Sequence, residues 1–163
     1  MRKFISGLIL GAGASQRLGP PKQLLPFRGT TMLGWVVDQA QKSSALDEVV
    51  VVLGRAADQV RERVDFGSTR VVENPVFGEG CSSSYRAGIG AINPESSAIM
   101  IILGDMPGVT PQIINGLADE WRTSDASIAR RATSSRWPQP MSAAMARGPD
   151  SRITLLPTNS RTF

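Results

Sequence analysis

Ala98-Ile99-Met100-Ile101-Ile102-Leu103 is an unbroken aliphatic run that stops at Gly104 and is followed at once by Asp105. A strand with one wet face alternates apolar and polar residues. A run that is apolar at every position fits a strand buried on both faces, as in a parallel sheet under two helical layers. Working outward, Val49–Leu53 is a second such run ending at Gly54, and Phe4–Leu10 is a third that ends in glycines. Thr69–Val72 reads as a weaker strand and Ser127–Ala129 as a marginal one. Helical spacing fills the intervals. Thr31–Lys42 carries Leu33, Val36, Val37 and Ala40 on one face, and Ala57–Val64 and Ser83–Ile92 follow. Pro111–Trp121 has Thr110 as N-cap, Pro111 at the first helical position, and Ile113, Ile114 and Leu117 on one face. This alternation predicts an open, doubly wound, mainly parallel α/β sheet in three layers, a Rossmann-like arrangement. Ligands of such sheets sit beyond the carboxyl ends of the strands.

Composition narrows the function classes. The chain has 163 residues, which fits one domain, and its 41% hydrophobic and 20% charged residues suit a soluble globular protein. No apolar run approaches the ~20 residues of a membrane span, and the start lacks a signal-peptide cleavage pattern, so a cytoplasmic protein without a membrane partner is expected. The single cysteine, Cys81, fits a reducing compartment and excludes an internal disulfide framework. Histidine is absent, which excludes Ser-His-Asp triads, histidine proton shuttles and His/Cys zinc sites.

The net charge of +4 is uneven: residues 1–120 carry −1 and residues 121–163 carry +5. The arginines of the later segment are spread out and accompanied by few aromatics, so no nucleic-acid partner is expected. Beyond Arg131 the periodicity fails, apart from a weak Met141–Met145 stretch. Residues 1–131 therefore read as the domain, and 132–163 as a divergent basic tail.

Two of the strands end in loops with chemistry. The first, Leu10 to Pro26, holds Gly11, Gly13, Gly19, Ser15, Arg17 and Lys22. Glycines let backbone N–H groups approach an anion, and Arg and Lys supply the opposing charge. It is not a P-loop, since no G-x-x-x-x-G-K-[ST] occurs. The dinucleotide pattern G-x-G-x-x-G also fails, because Gln16 stands at the third glycine. The second loop is Leu103 to Val109. An acid one step past a buried strand is costly unless its charge is used, and Asp105 is placed either to hold Mg²⁺ or to start a turn before Pro107. A third segment, Glu73 to Gly88, offers Asn74, glycines and the serines Ser82, Ser83 and Ser84. These can bind a base and ribose, or Ser82 or Ser83 can simply cap a helix. Cys81, with no base nearby to activate it, reads as a buried or half-buried structural thiol.

In this order, LILGAGASQRLGPPKQLLPFRGTTML, NPVFGEGCSSSYRAG and ILGDMPGVT resemble the MobA-like nucleotidyltransferase family, and most closely its molybdenum cofactor cytidylyltransferase branch. The resemblance covers residues 5 to 131. It implies transfer of a nucleoside monophosphate from an NTP to a phosphorylated acceptor, molybdopterin in the cytidylyl branch, with release of pyrophosphate. By position it implies that Leu10, Gly11, Ala12 and Gly13 contact base and ribose, and that Ser15 to Gly19 wrap the triphosphate. Arg17 and Lys22 would neutralise the leaving pyrophosphate, and Asp105 would hold the bridging Mg²⁺. Asn74, Gly80 and Ser84 would complete the nucleotide pocket.

Cytidylyl members typically read L-A-A-G at the first loop and guanylyl members L-A-G-G. Leu10-Gly11-Ala12-Gly13 keeps the alanine, and KQLLP also resembles the cytidylyl branch, so CTP is favoured over GTP. The resemblance further implies hand-over of a labile product to a molybdoenzyme or chaperone. Family members usually run further, with a G-H-P segment and a late acidic motif, so the tail reads as a truncation or shifted reading frame. The alternatives are a guanylyltransferase or sugar-phosphate nucleotidyltransferase of the same fold, or a nucleotide-binding remnant without turnover. A dehydrogenase is disfavoured by Gln16.

Overall fold

The computed structural model describes residues 3–13 and 19–123 and, as backbone, the strands Ile128–Ala132 and Ser142–Arg147. Strand β1 (Ile5–Gly11) leads through the 3₁₀ turn Lys22–Leu24 into a short hairpin, β2 (Pro26–Phe27) and β3 (Thr30–Thr31). Then come α1 (Met32–Gln41), β4 (Glu48–Leu53), α2 (Ala57–Arg63) and β5 (Arg70–Glu73). After the 3₁₀ turn Phe77–Glu79 follow α3 (Cys81–Ile89), β6 (Ala98–Leu103), α4 (Pro111–Thr123), β7 (Ile128–Ala132) and β8 (Ser142–Arg147). The main sheet runs β5, β4, β1, β6, β8, β7. Strands β5, β4, β1 and β6 are mutually parallel, and β8 is antiparallel to both its neighbours.

Alternation along the strands feeds two cores. Ile5 and Ile9 of β1, Val51 and Leu53 of β4, and Met100 and Ile102 of β6 face one side, where α1 places Leu33, Val36, Val37 and Ala40. Helix α4 adds Ile114, Leu117, Ala118 and Trp121 to the same side; Ile114 and Leu117 are as expected, and the expected Ile113 is only half-buried. Leu8, Val50, Val52 and Ile99 face the other side, with Ile92 after α3. Each fully buried aliphatic side chain contributes about 1.5–3 kcal/mol, so a sheet apolar on both faces needs cover on both. Ser6 is the buried polar exception in β1: its hydroxyl donates to Glu48 Oε1 and is also paired with Ser96 Oγ.

The strand and helix boundaries fall close to the expected ones, and Thr110 caps α4 through Ile113 N to its Oγ1 at 3.4 Å. Two elements differ. The β2–β3 hairpin, turned by Arg28 (φ 46°) and Gly29 (φ 81°), spans the junction between the loop expected to end at Pro26 and the helix expected from Thr31, where no strand was expected. Strand β8 falls within the segment 132–163, where only the weak Met141–Met145 stretch broke the lack of periodicity; it overlaps that stretch and pairs with β6 from Ala98↔Arg147 to Ile101↔Ala144. Its sequence, Ser-Ala-Ala-Met-Ala-Arg, has no β-branched or aromatic residue, so partner strands rather than local preference make it a strand.

Candidate nucleotide-binding cleft

Chain order places the chemistry. From β1 the chain crosses to β4 on one side, whereas β6 returns to the other side of β1. The carboxyl ends of β1 and β6 are therefore neighbours, with Leu10 in register with Leu103 and Gly104 N donating to Leu10 O at 3.0 Å. A crevice at such a reversal is the usual ligand position in open α/β sheets. Here it is a cleft of about 720 Å³. Gly104 has to be small: an added Cβ would lie 2.8 Å from Leu33 Cδ1 and 3.1 Å from Leu10 O.

Leu10, Ala12 and Gly13 line the cleft from β1, Lys22 from the 3₁₀ turn, and Asp105 from the loop after β6. Gly80 and Ser84 line it from the start of α3. Lys22 and Asp105 are both exposed, and neither is in an ion pair with another described residue. Met106 N donates to Leu103 O at 3.2 Å, so Asp105 stands in a turn as well as in the cleft; the two readings of that residue are compatible.

Other expected residues are elsewhere. Gly11 is buried inside β1, Gly19 is exposed, and neither is part of the lining. Asn74 is only 2% exposed and sits behind the wall. Its Nδ2 donates to Ser83 Oγ at 2.8 Å and to Ser84 Oγ at 3.1 Å, while its Oδ1 accepts from Val76 N at 3.1 Å. With both amide hydrogens committed, Asn74 braces the two serines. Arg17 and Ser15 lie outside the described residues.

The start of α3 departs from the expected serine cap. Gly80 (φ 95°) is the N-cap, a conformation that disfavours any side chain, and Ser83 Oγ donates to Gly80 O at 2.8 Å. Cys81 is exposed in the cleft wall and is not the buried thiol expected. Because it is the first residue of an exposed helix end, its side chain has no core to enter.

Sequence reasoning also missed three lining residues, Gln23, Phe77 and Tyr85. Burial, and secondarily the nearby Cys81, raise the Tyr85 hydroxyl above its usual pKa of 10.0, so it is a neutral donor near pH 7. The signal available for Tyr85 was its place one turn after Cys81 and beside Ser84.

The MobA-like NTP transferase domain matches residues 7–158. The chain belongs to that family. It is similar to nicotine blue oxidoreductase of Paenarthrobacter nicotinovorans, with 37% identity over 77% of this chain and 61% of that protein. A 3-deoxy-manno-octulosonate cytidylyltransferase of Leptospira interrogans is 35% identical over 78% of this chain and 52% of its own length. The chain thus spans about three-fifths or less of these curated relatives. The crystal structure of Rv0371c from Mycobacterium tuberculosis has a TM-score of 0.71 and 36% identity, covering 80% of this chain and 65% of that one. Rv0371c also has a structure in complex with manganese (TM-score 0.67, 33% identity, 78% and 64% coverage).

MobA-like enzymes are nucleotidyltransferases that commonly use divalent metals. No group of three or more metal-ligating side chains exists among the described residues. One exposed carboxylate, Asp105, suits a hard cation that arrives on triphosphate oxygens and keeps much of its water, as Mg²⁺ does. No helix among the described residues is long and apolar enough to cross a membrane.

Proposed function

We propose that the chain is an Mg²⁺-dependent cytidylyltransferase that moves CMP from CTP to the phosphate of a molybdenum pyranopterin cofactor, releasing pyrophosphate. The observation that carries this reading is one cleft holding the glycine-bearing end of β1, Lys22 and Asp105. In the reaction an acceptor phosphate oxygen forms a bond to the α-phosphorus. The bond from that phosphorus to the α–β bridging oxygen breaks, and its electron pair leaves with pyrophosphate. No protein nucleophile is needed; positioning and charge stabilisation suffice. That suits a chain without histidine.

Lys22, together with Arg17, would neutralise the charge that grows on pyrophosphate. The loop Leu10 to Gly13 would seat base and ribose, Ser15 and Gly19 would border the phosphates, and Gly80 and Ser84 would close the far wall. Asp105 would hold Mg²⁺, which when bound neutralises the triphosphate. Gly11 and Asn74 would act from behind the lining, as supports. The choice of CTP is supported by Ala12 in the first loop and by similarity to a cytidylyltransferase. The membership of β8 in the sheet supports a nucleotidyltransferase domain that continues past residue 131, at least through Arg147. A cytoplasmic location and delivery of the product to a molybdoenzyme or chaperone belong to the same proposal.

Equilibrium binding of CTP and GTP, with and without Mg²⁺, tests the first half. Selective CTP binding strengthened by Mg²⁺ is expected; selective GTP binding would move the reading to a guanylyltransferase. Pyrophosphate release in the presence of molybdopterin, a sugar phosphate or 3-deoxy-manno-octulosonate then separates the acceptors. The similarity to nicotine blue oxidoreductase supports a second, redox reading. Turnover of nicotine blue by the chain, with no pyrophosphate release from CTP, would establish it instead.

A further inference from the structure

Gln23 is 6% exposed, yet it lines the cleft. Its Nε2 donates to Gly11 O at 2.7 Å and to Gly13 O at 3.1 Å, so one side-chain amide gathers alternate carbonyls of the glycine loop. Both amide hydrogens are then used, and the orientation of the amide is fixed: turned over, it would set an oxygen against two carbonyl oxygens. Its other arm, Oε1, is buried and has no hydrogen-bond partner among the described residues. An acceptor left in that condition costs free energy unless a donor comes to it.

Resting on the nucleotide-binding reading of this cleft, we infer that Gln23 is a specificity-determining residue for the nucleotide, through both arms of its amide. Triphosphate oxygens accept hydrogen bonds and donate none at neutral pH, so a carbonyl facing them is repulsive. Nε2 draws the carbonyls of Gly11 and Gly13 to itself, and the planar trans peptide then turns the N–H of Ala12 away from Gln23. Oε1 can pair only with a donor. On a nucleoside triphosphate the donors are the ribose hydroxyls and the amino group of the base, and Oε1 takes one of these.

The test is titration of CTP, 2′-deoxy-CTP, 3′-deoxy-CTP and UTP into the wild-type chain and into Gln23→Met and Gln23→Glu, with thermal unfolding as a check on folding. Gln23→Met removes both arms at similar volume. CTP should bind about three- to tenfold more weakly, the worth of one hydrogen bond. The preference for CTP over one of the three analogues should also vanish, which identifies the ribose hydroxyl or base amino group involved. Gln23→Glu keeps an acceptor while replacing the donors with charge. There, affinity for all four should fall further while that preference persists, and this holds as a test even if the methionine variant fails to fold. Preferences unchanged in Gln23→Met, or lost equally in Gln23→Glu, would overturn the inference while leaving the cleft a nucleotide site. Failure of the wild-type chain to bind any of the four would instead remove the nucleotide reading itself, and the inference with it.

Discussion

The indole Nε1 of Trp35, on the first turn of α1, donates to the carbonyl of Pro107 at 3.0 Å, joining residues 72 positions apart in the chain. Pro107 lies two residues after Asp105, so this bond ties the acidic loop to a rigid helix. The ring is itself held: Phe27 meets it edge-on at 5.7 Å, and the Arg28 guanidinium lies 5.1 Å from its centroid. Trp35→Phe keeps an aromatic ring, though a smaller one, and removes the donor. One net hydrogen bond is worth about 1 kcal/mol, which lowers Tm by roughly 2–4 °C in a chain of this size. The Mg²⁺ concentration needed for tight CTP binding should rise as well. Thermal unfolding together with a metal titration at fixed CTP checks this, and an unchanged metal midpoint would show that the loop holds its shape without Trp35.

Lys22 has an exposed ammonium in the cleft wall and no carboxylate partner among the described residues, so its charge is available to a ligand. Lys22→Ala should slow pyrophosphate release by at least ~100-fold, the usual effect of removing a preorganised electrostatic contact to a developing charge. CTP binding should weaken much less than turnover. Turnover near the wild-type rate would remove Lys22 from the mechanism.

Asp105 is the only acid lining the cleft among the described residues. Asp105→Asn keeps the shape of the side chain and its turn but loses the charge. Mg²⁺ should then no longer strengthen CTP binding, while metal-free CTP binding should improve slightly because a negative charge has left the triphosphate's surroundings. A wild-type Mg²⁺ dependence in this variant would sink the assignment of Asp105 as ligand.

The parts of the site that were legible in the sequence are those where chain order alone brings residues together. Strand β6 is apolar throughout and β1 mostly so, and each gives way to glycine at its carboxyl end (Gly11 and Gly104), so their loops had to meet at one edge of a parallel sheet. Asp105 and Lys22 followed from that. What was illegible depends on side-chain direction. Asn74 and Ser84 were expected to act alike, but Asn74 points inward and braces Ser84 from behind. Gln23 looked like one polar residue in a loop, and only the fold reveals that it reaches back to Gly11 and Gly13. Strand β8 was faint for a different reason: its run of alanines gives only the weak pattern at Met141–Met145, and its place is set by β6 and β7 on either side.

Tyr85 gives the cleft a pH signature. Its hydroxyl pKa is raised, first by burial and then by the nearby Cys81. A raised pKa means that the folded chain holds this proton more tightly than the unfolded chain does. The corresponding stability is fully present below about pH 10 and is lost as pH climbs through the folded-state value, because there the unfolded state binds fewer protons. Tyr85→Phe cannot ionise, so its unfolding free energy should fall less steeply than that of the wild type above pH 10, and the two slopes should agree between pH 7 and 9. Since burial is the larger cause, Cys81→Ser should leave most of the wild-type slope in place. Denaturant unfolding of the three chains at intervals from pH 7 to 11 measures this. Parallel curves for wild type and Tyr85→Phe would mean that the hydroxyl is solvated in the folded chain, and that it is no preset donor for a ligand in the cleft.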